Sequence, residues 1–294
     1  MRGTDMNATT KVQRVRLKLL FPSFLKISFL VIVAVITLFP IVYAFFASFK
    51  PLHELMSDGS SLLPKTWRWA NYREVWELSN FARYFKNSIF VTFFSVVIIM
   101  INSSMFGFVL ARKRLLATRI VEGLFSATIF ASFGSALLFP IMKIALQFHI
   151  LNLSGVVIVQ AAGGLLVNTF LIKSFMQTIS KEIDEAAVID GASFFQIYRL
   201  IALPIMRPML ASVALFSFQA SWNDFLLPLV FTLANPDWRT VIIGVYSLRS
   251  SAAGATSWHF MMAGSMIALT PIVLLFLLLQ KQFITSLSGG AIKG

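Results

Sequence analysis

The sequence predicts an all-α polytopic membrane fold with six transmembrane helices. Three observations carry that reading. The chain is 57% hydrophobic, it is only 13% charged, and its apolar residues are gathered into six long blocks. A soluble domain is about a quarter charged, and surface-to-volume scaling leaves no way to hide this much apolar side chain from water. Each block is long enough for the about 20 helical residues that cross a bilayer, so lipid is the solvent that fits.

Taken in order, residues 1–26 form a basic tail and residues 27–49 the first span. Residues 50–86 form an external segment. The next spans cover 88–110, 120–146 and 156–176. A polar loop occupies 180–208, followed by spans at 209–233 and 260–279 and a tail at 282–294. The positive-inside rule sets the orientation. Arg2, Lys11, Arg14, Arg16, Lys18 and Lys26 precede the first span against Asp5 alone, and Arg112, Lys113, Arg114 and Arg119 follow the second. The linker 147–155 has neither Lys nor Arg. Both termini are therefore expected in the cytoplasm. The first block is longer than the apolar region of a cleaved signal and is read as a span.

The external placement of 50–86 has a cost, because Lys65, Arg68, Arg73, Arg83 and Lys86 lie there. The same segment holds Trp67, Trp69, Tyr72, Trp76 and Tyr84, and is read as a partly helical interfacial cap. The formal net charge of +13 is explained by basic tracts flanking apolar blocks. No nucleic-acid-binding motif accompanies it, so nucleic acid is not expected as a partner. The absence of cysteine excludes disulfides and thiol chemistry. There is no phosphate-binding Gly-x-x-x-x-Gly-Lys-Ser/Thr loop, and His53, His149 and His259 are scattered. The chain is expected to bind no metal and to catalyse no reaction itself.

The polar loop is organised. Ser180 can cap a helix whose first turns carry Glu182, Asp184 and Glu185, where the helix dipole favours acids. Ala186 and Ala187 follow, and Gly191 after Asp190 suits a left-handed stop. Ser193 and Gln196 then have capping-box spacing. Phe194, Ile197 and Ile201 share one face of the second helix, with Tyr198 beside it, and Leu203-Pro204 is expected to end it. Two short helices, one acidic and one apolar-striped, read as an element for docking another protein rather than a plain connector.

Polar residues inside spans are candidates for a solute pathway. Asp224, next to Trp222 and Asn223, is an ionisable group at depth. It could line a polar cavity, with Trp222 offering a flat face to a sugar ring, or it could make an inter-helix hydrogen bond. Asn102 and Asn168 are further candidates, although such residues often serve to join helices. Gly163-Gly164 is read as a site of close helix packing.

The run Glu185-Ala186-Ala187, three residues, Gly191, nine residues, then Ile201-Ala202-Leu203-Pro204 resembles, without gaps, the EAA loop of ABC importer permeases. Trp222-Asn223-Asp224-Phe225, the pair Asn87-Ser88 and the tail Gly289-Gly290-Ala291-Ile292-Lys293-Gly294 resemble the carbohydrate branch, in particular maltose-type, MalG-like subunits. One departure, Leu153 where the family often has Thr, lies away from the loop.

The resemblance implies a type I ABC importer permease fold with its core at 87–281. It implies a second permease subunit in a heterodimer, an ATPase dimer that carries ATP and Mg, and an extracytoplasmic solute-binding protein. Carried onto this sequence, Glu185, Ala186, Ala187, Asp190 and Gly191 would contact the ATPase. The competing reading is an ion- or proton-coupled secondary transporter using Asp224. Such a carrier needs no ATPase-docking loop, and no clear internal repeat is present.

Overall fold

The computed structural model describes residues 5–57, 61–78, 80–130, 134–249 and 257–291. Residues 292–294 of the C-terminal motif lie outside them, and of residues 5–25 and 282–291 only the helical backbone is described. Among the described residues the chain is helical, with no strand. The helices are α1 (Asp5–Ala47), α2 (Leu52–Ser57), α3 (Ala70–Leu78), α4 (Phe81–Arg112), α5 (Leu116–Phe130), α6 (Leu138–Gln147) and α7 (Leu153–Gln177). After the loop helices α8 (Glu182–Ile189) and α9 (Phe194–Ile205) come α10 (Arg207–Trp222), α11 (Leu226–Phe231), α12 (Val241–Ser247) and α13 (Trp258–Ala291).

Four helical stretches are each long and apolar enough to cross a membrane: Lys26–Ala47, Phe81–Arg112, Leu153–Gln177 and Trp258–Lys281. The third and fifth blocks of the sequence do not form single helices. The third is carried by α5 and α6, with the turn Gly134–Leu137 leading into α6. The fifth is broken after Trp222 and resumes at Leu226. Uniform apolarity hides such breaks, because it carries no periodicity to interrupt.

Along α1, Ile32, Ile36 and Phe39 are each more than half exposed. An apolar helix with so little protein cover requires lipid around it. The packed centre is α4 against α7. A Cβ on Gly107 would stand 2.5 Å from Ile172 Cγ2 and 3.0 Å from the Thr169 carbonyl oxygen, so glycine is what lets these backbones approach. Gly164 meets Ile99 in the same way, whereas Gly163 faces open space. Close packing was expected of both glycines, and only Gly164 provides it.

Three buried clusters organise the rest. One joins α4 and α7 to α8, α9 and α10 through Phe108, Ile172, Met176, Ile197, Met206 and Val213. A second surrounds Trp222 with Phe81, Val241 and Ala263, and a third packs Val91, Val156 and Phe231 together. The segment after α1 folds onto the helix ends. Asn71 Nδ2 donates to the Ser48 and Lys50 carbonyls at 2.8 and 2.9 Å, and Phe49 sits among Trp67, Trp69 and Tyr72. Trp67 and Trp69 remain at least half exposed.

Candidate functional site

The loop after α7 is built by local chemistry. Glu182 N donates to Ser180 Oγ at 3.2 Å, and Glu182, Asp184 and Glu185 occupy the first turn of α8. Gly191 closes the helix with φ at +82°, a left-handed conformation that L side chains seldom adopt. Its N–H reaches the Val188 carbonyl at 3.0 Å, and Ala192 N reaches the Ala187 carbonyl at 2.9 Å. Ser193 and Gln196 then form the reciprocal capping box: Gln196 N donates to Ser193 Oγ and Ser193 N to Gln196 Oε1.

Leu203-Pro204 does not end the second helix as expected. The helix widens into a π-helical stretch, Ile197–Ala202, and continues through Pro204 to Ile205. Proline has no N–H and crowds the carbonyl four residues back, and the wider winding relieves that conflict. The chain then bends by 75° into α10. The apolar stripe is only partly covered by the chain itself: Ile197 is buried, Ile201 half-buried and Phe194 exposed. The Phe108 ring lies 4.9 Å from Phe194 and 5.5 Å from Tyr198, and the Tyr198 and Ser104 hydroxyls share a 2.8 Å hydrogen bond.

α8 is left largely uncovered. Ile189 is 86% exposed and Val188 61%, while Glu185, Ala186 and Asp190 are also exposed. Ala187 differs from its neighbours. It is buried in the cluster shared with α4 and α9, so it seats α8 on the chain rather than presenting itself to a partner. One residue outside the motif completes the arrangement. Arg112, at the end of α4, pairs its Nε with Asp184 Oδ2 at 2.5 Å and donates Nη1 to the Met176 and Ile179 carbonyls at 2.9 and 3.2 Å. Its side chain is 5% exposed. A single guanidinium thus ties α8 to α4 and α7. Sequence reading counted Arg112 only as a topogenic charge.

A second feature lies deeper. A cavity of about 620 Å³ is lined by Gln160, Gly163, Asn168, Ser217, Ser221 and Asp224, with Ile99 and Phe216 among its apolar walls. Asp224 sits in the break between α10 and α11, and its Oδ2 accepts a 3.0 Å hydrogen bond from Gln160 Nε2. Gln160 Oε1 accepts from Ser95 at 3.1 Å and from Ser221. Asn168 Nδ2 donates to the Gly164 carbonyl and to Ser217 Oγ, and its buried Oδ1 has no partner among the described residues.

The other candidates are placed elsewhere. Trp222 is 2% exposed, stacks on Phe218 and donates Nε1–H to the Ala268 carbonyl at 2.9 Å, so its face is covered by protein and is not open to a sugar ring. Asn223 is exposed and Asn102 half-buried, and neither lines the cavity. Gln160 was missed in the sequence. Its signal was an amide alone in the apolar run Val157–Leu166 of the fourth block. Among the described residues no group of three or more His, Cys, Asp or Glu could hold a metal.

Comparison with known proteins places this geometry. Residues 87–288 match the model of the family described as binding-protein-dependent transport system inner membrane component. The chain is 32% identical to the probable starch degradation products transport system permease protein AmyC of Thermoanaerobacterium thermosulfurigenes, over 84% of this chain and 88% of that one. It is 31% identical to the galactooligosaccharides transport system permease protein GanQ of Bacillus subtilis, over 98% and 100%. The fold is also that of a chain in the crystal structure of a bacterial ABC transporter involved in the import of the acidic polysaccharide alginate. That match has a TM-score of 0.75 at 22% identity, and covers 90% of this chain and 96% of that chain. The chain is therefore a membrane protein of the binding-protein-dependent transport system inner membrane component family.

Proposed function

We propose that this chain is the membrane-spanning subunit of an ATP-driven importer for an oligosaccharide or other carbohydrate. In this reading it forms half of the translocation pathway and couples it to a separate ATPase dimer that carries ATP and Mg. A second permease subunit supplies the other half, and an extracytoplasmic binding protein delivers the solute. The carbohydrate reading is supported by relatives whose names specify starch products and galactooligosaccharides.

The observation that carries the coupling role is α8 itself. It is an acidic, capped helix with an exposed apolar tip, seated on the chain through Ala187 and tied to two spans through Arg112. Exposed side chains such as Ile189 and Val188 gain by burial against a partner. The acidic first turn offers Glu185 to a basic side chain. Motion of the ATPase dimer then moves α8, and the Arg112 link carries that motion to α4 and α7. This is a two-state element biased by a ligand on another chain. Asp190 and Gly191 set where α8 ends, and the 75° bend before α10 separates the docking element from the fifth span.

The polar cavity is assigned to the solute pathway. Gln160, Asn168 and Asp224 line it with the amide and carboxylate groups that bond sugar hydroxyls. The secondary-transporter reading has no use for the exposed face of α8. Glu185→Lys in the assembled importer tests the proposal. ATPase association and solute uptake are both expected to fall. Unchanged association and uptake would remove the coupling role, and uptake driven by a proton gradient after ATP depletion would remove the importer reading.

A further inference from the structure

Beside the coupling loop lies a second, strongly basic cleft, of whose basic lining residues the transport cycle described above uses only Arg112. Its volume is about 470 Å³, within the about 300–1,000 Å³ typical of small-molecule pockets. Arg112, Lys113, Arg114, Arg119, Lys173 and Lys181 line it, and Glu122 is the only acid among the lining residues. The charges come from five places in the fold: the end of α4, the linker to α5, α5 itself, the body of α7 and the residue before α8. Glu122 is taken by Lys173, and Arg112 is taken by Asp184 at the cleft edge. Lys113, Arg114, Arg119 and Lys181 have no carboxylate within ion-pair distance among the described residues. Lys113 instead rests over the Phe194 ring at 4.6 Å.

The surroundings identify the ligand. Leu116 and Ile120, which flank Arg119 on α5, are 75% and 54% exposed and Leu124 one turn on is 62% exposed, so this helix carries an exposed apolar stripe beside Arg119. Charge concentrated where a lipid-facing surface ends lies at headgroup depth, and basic pockets between spans on the cytoplasmic side suit anionic headgroups. We infer that the cleft formed by α4, α5, α7 and the start of α8 binds the phosphate headgroup of an anionic phospholipid, whose acyl chains lie along the exposed face of α5. The headgroup phosphate supplies the acceptor oxygens that Arg114, Arg119 and Lys181 lack. The inference rests on the cytoplasmic placement of the loop. Its readout is lipid retention, which is independent of transport and of ATPase association.

The test uses the assembled importer, purified in detergent and exposed to phosphatidylglycerol and phosphatidylcholine of matched acyl chains. Retained lipid is counted by native mass spectrometry. Phosphatidylglycerol is expected to exceed phosphatidylcholine by about fivefold or more. The double variant Arg114→Gln/Arg119→Gln and, on the opposite wall, Lys181→Gln are expected to lower that excess. Arg199→Gln/Arg207→Gln, which removes as much charge from outside the cleft, is expected to leave it unchanged. Millimolar inorganic phosphate is expected not to displace the lipid. Equal retention of the two lipids, or an excess that survives both cleft variants, overturns the inference. Equal loss in the control reduces the effect to net charge and overturns the site. Displacement by inorganic phosphate overturns the lipid assignment in favour of a free-anion site.

Discussion

Arg112→Ala is expected to release α8 from the membrane helices without unfolding them. The change deletes the ion pair to Asp184 and the two hydrogen bonds to the Met176 and Ile179 carbonyls. Removing one partner of a buried pair costs about 3–5 kcal/mol, because the remaining charge keeps its desolvation penalty. Asp184 retains 18% exposure, so part of that penalty is relieved by water and the lower bound of about 3 kcal/mol applies. At about 1.4 kcal/mol per tenfold, this is roughly a hundredfold rise in local opening of the loop. Hydrogen exchange at residues 182–190 in the assembled complex reads that opening. Transport per ATP hydrolysed is expected to fall while hydrolysis persists. Asp184→Asn added to Arg112→Ala is expected to recover part of the loss, since it removes the charge left without its partner. Exchange within about twofold of the parent, or fully additive effects of the two changes, would refute the latch.

Other outcomes follow from the packing and the cavity. Gly107→Ala forces a Cβ against Ile172 and the Thr169 carbonyl, and is expected to destabilise the complex by about 1–3 kcal/mol in thermal unfolding. Gly163→Ala meets nothing within 4 Å and is expected to stay within about 0.5 kcal/mol. Ser193→Ala removes a cap bond and is expected to cost about 1 kcal/mol, visible as faster exchange at the start of α9. Trp222→Phe loses the hydrogen bond to the Ala268 carbonyl, worth about 1 kcal/mol, with no change in the solute concentration that half-saturates uptake. Gln160→Leu leaves Asp224 without its side-chain donor and is expected to impair uptake while ATPase association is retained.

Much of the loop was legible because its signals are local. The Gly191 stop and the Ser193–Gln196 box depend on residues a few positions apart, and the structure forms both; Ser180 meets the Glu182 N–H, but the cap position itself falls to Lys181. The ending at Leu203-Pro204 was misjudged because a proline is compatible with a helix that widens, and composition does not reveal winding. The breaks in the third and fifth blocks were hidden for a related reason. A run that is apolar all round shows where lipid or core lies, not where a backbone turns. The cavity was half legible. Asp224 and Asn168 announced themselves by polarity, but which polar groups meet depends on helix rotation, and that rotation sends Trp222 into the core. Arg112 was invisible as a latch because a basic residue at a span end already had a sufficient topological explanation.

In the proposed function, α8 is the surface through which a partner ATPase drives this chain. The sequence has no cysteine, so a cysteine introduced at Ile189, at the exposed tip, is unique in the chain. Cross-linking from Ile189→Cys within the assembled importer, trapped with and without ATP, tests the claim most directly. A product joining this chain to the ATPase is expected, absent when the cysteine is placed instead at the buried Ala187. No product with the ATPase, or a product only with the other membrane subunit, would contradict it.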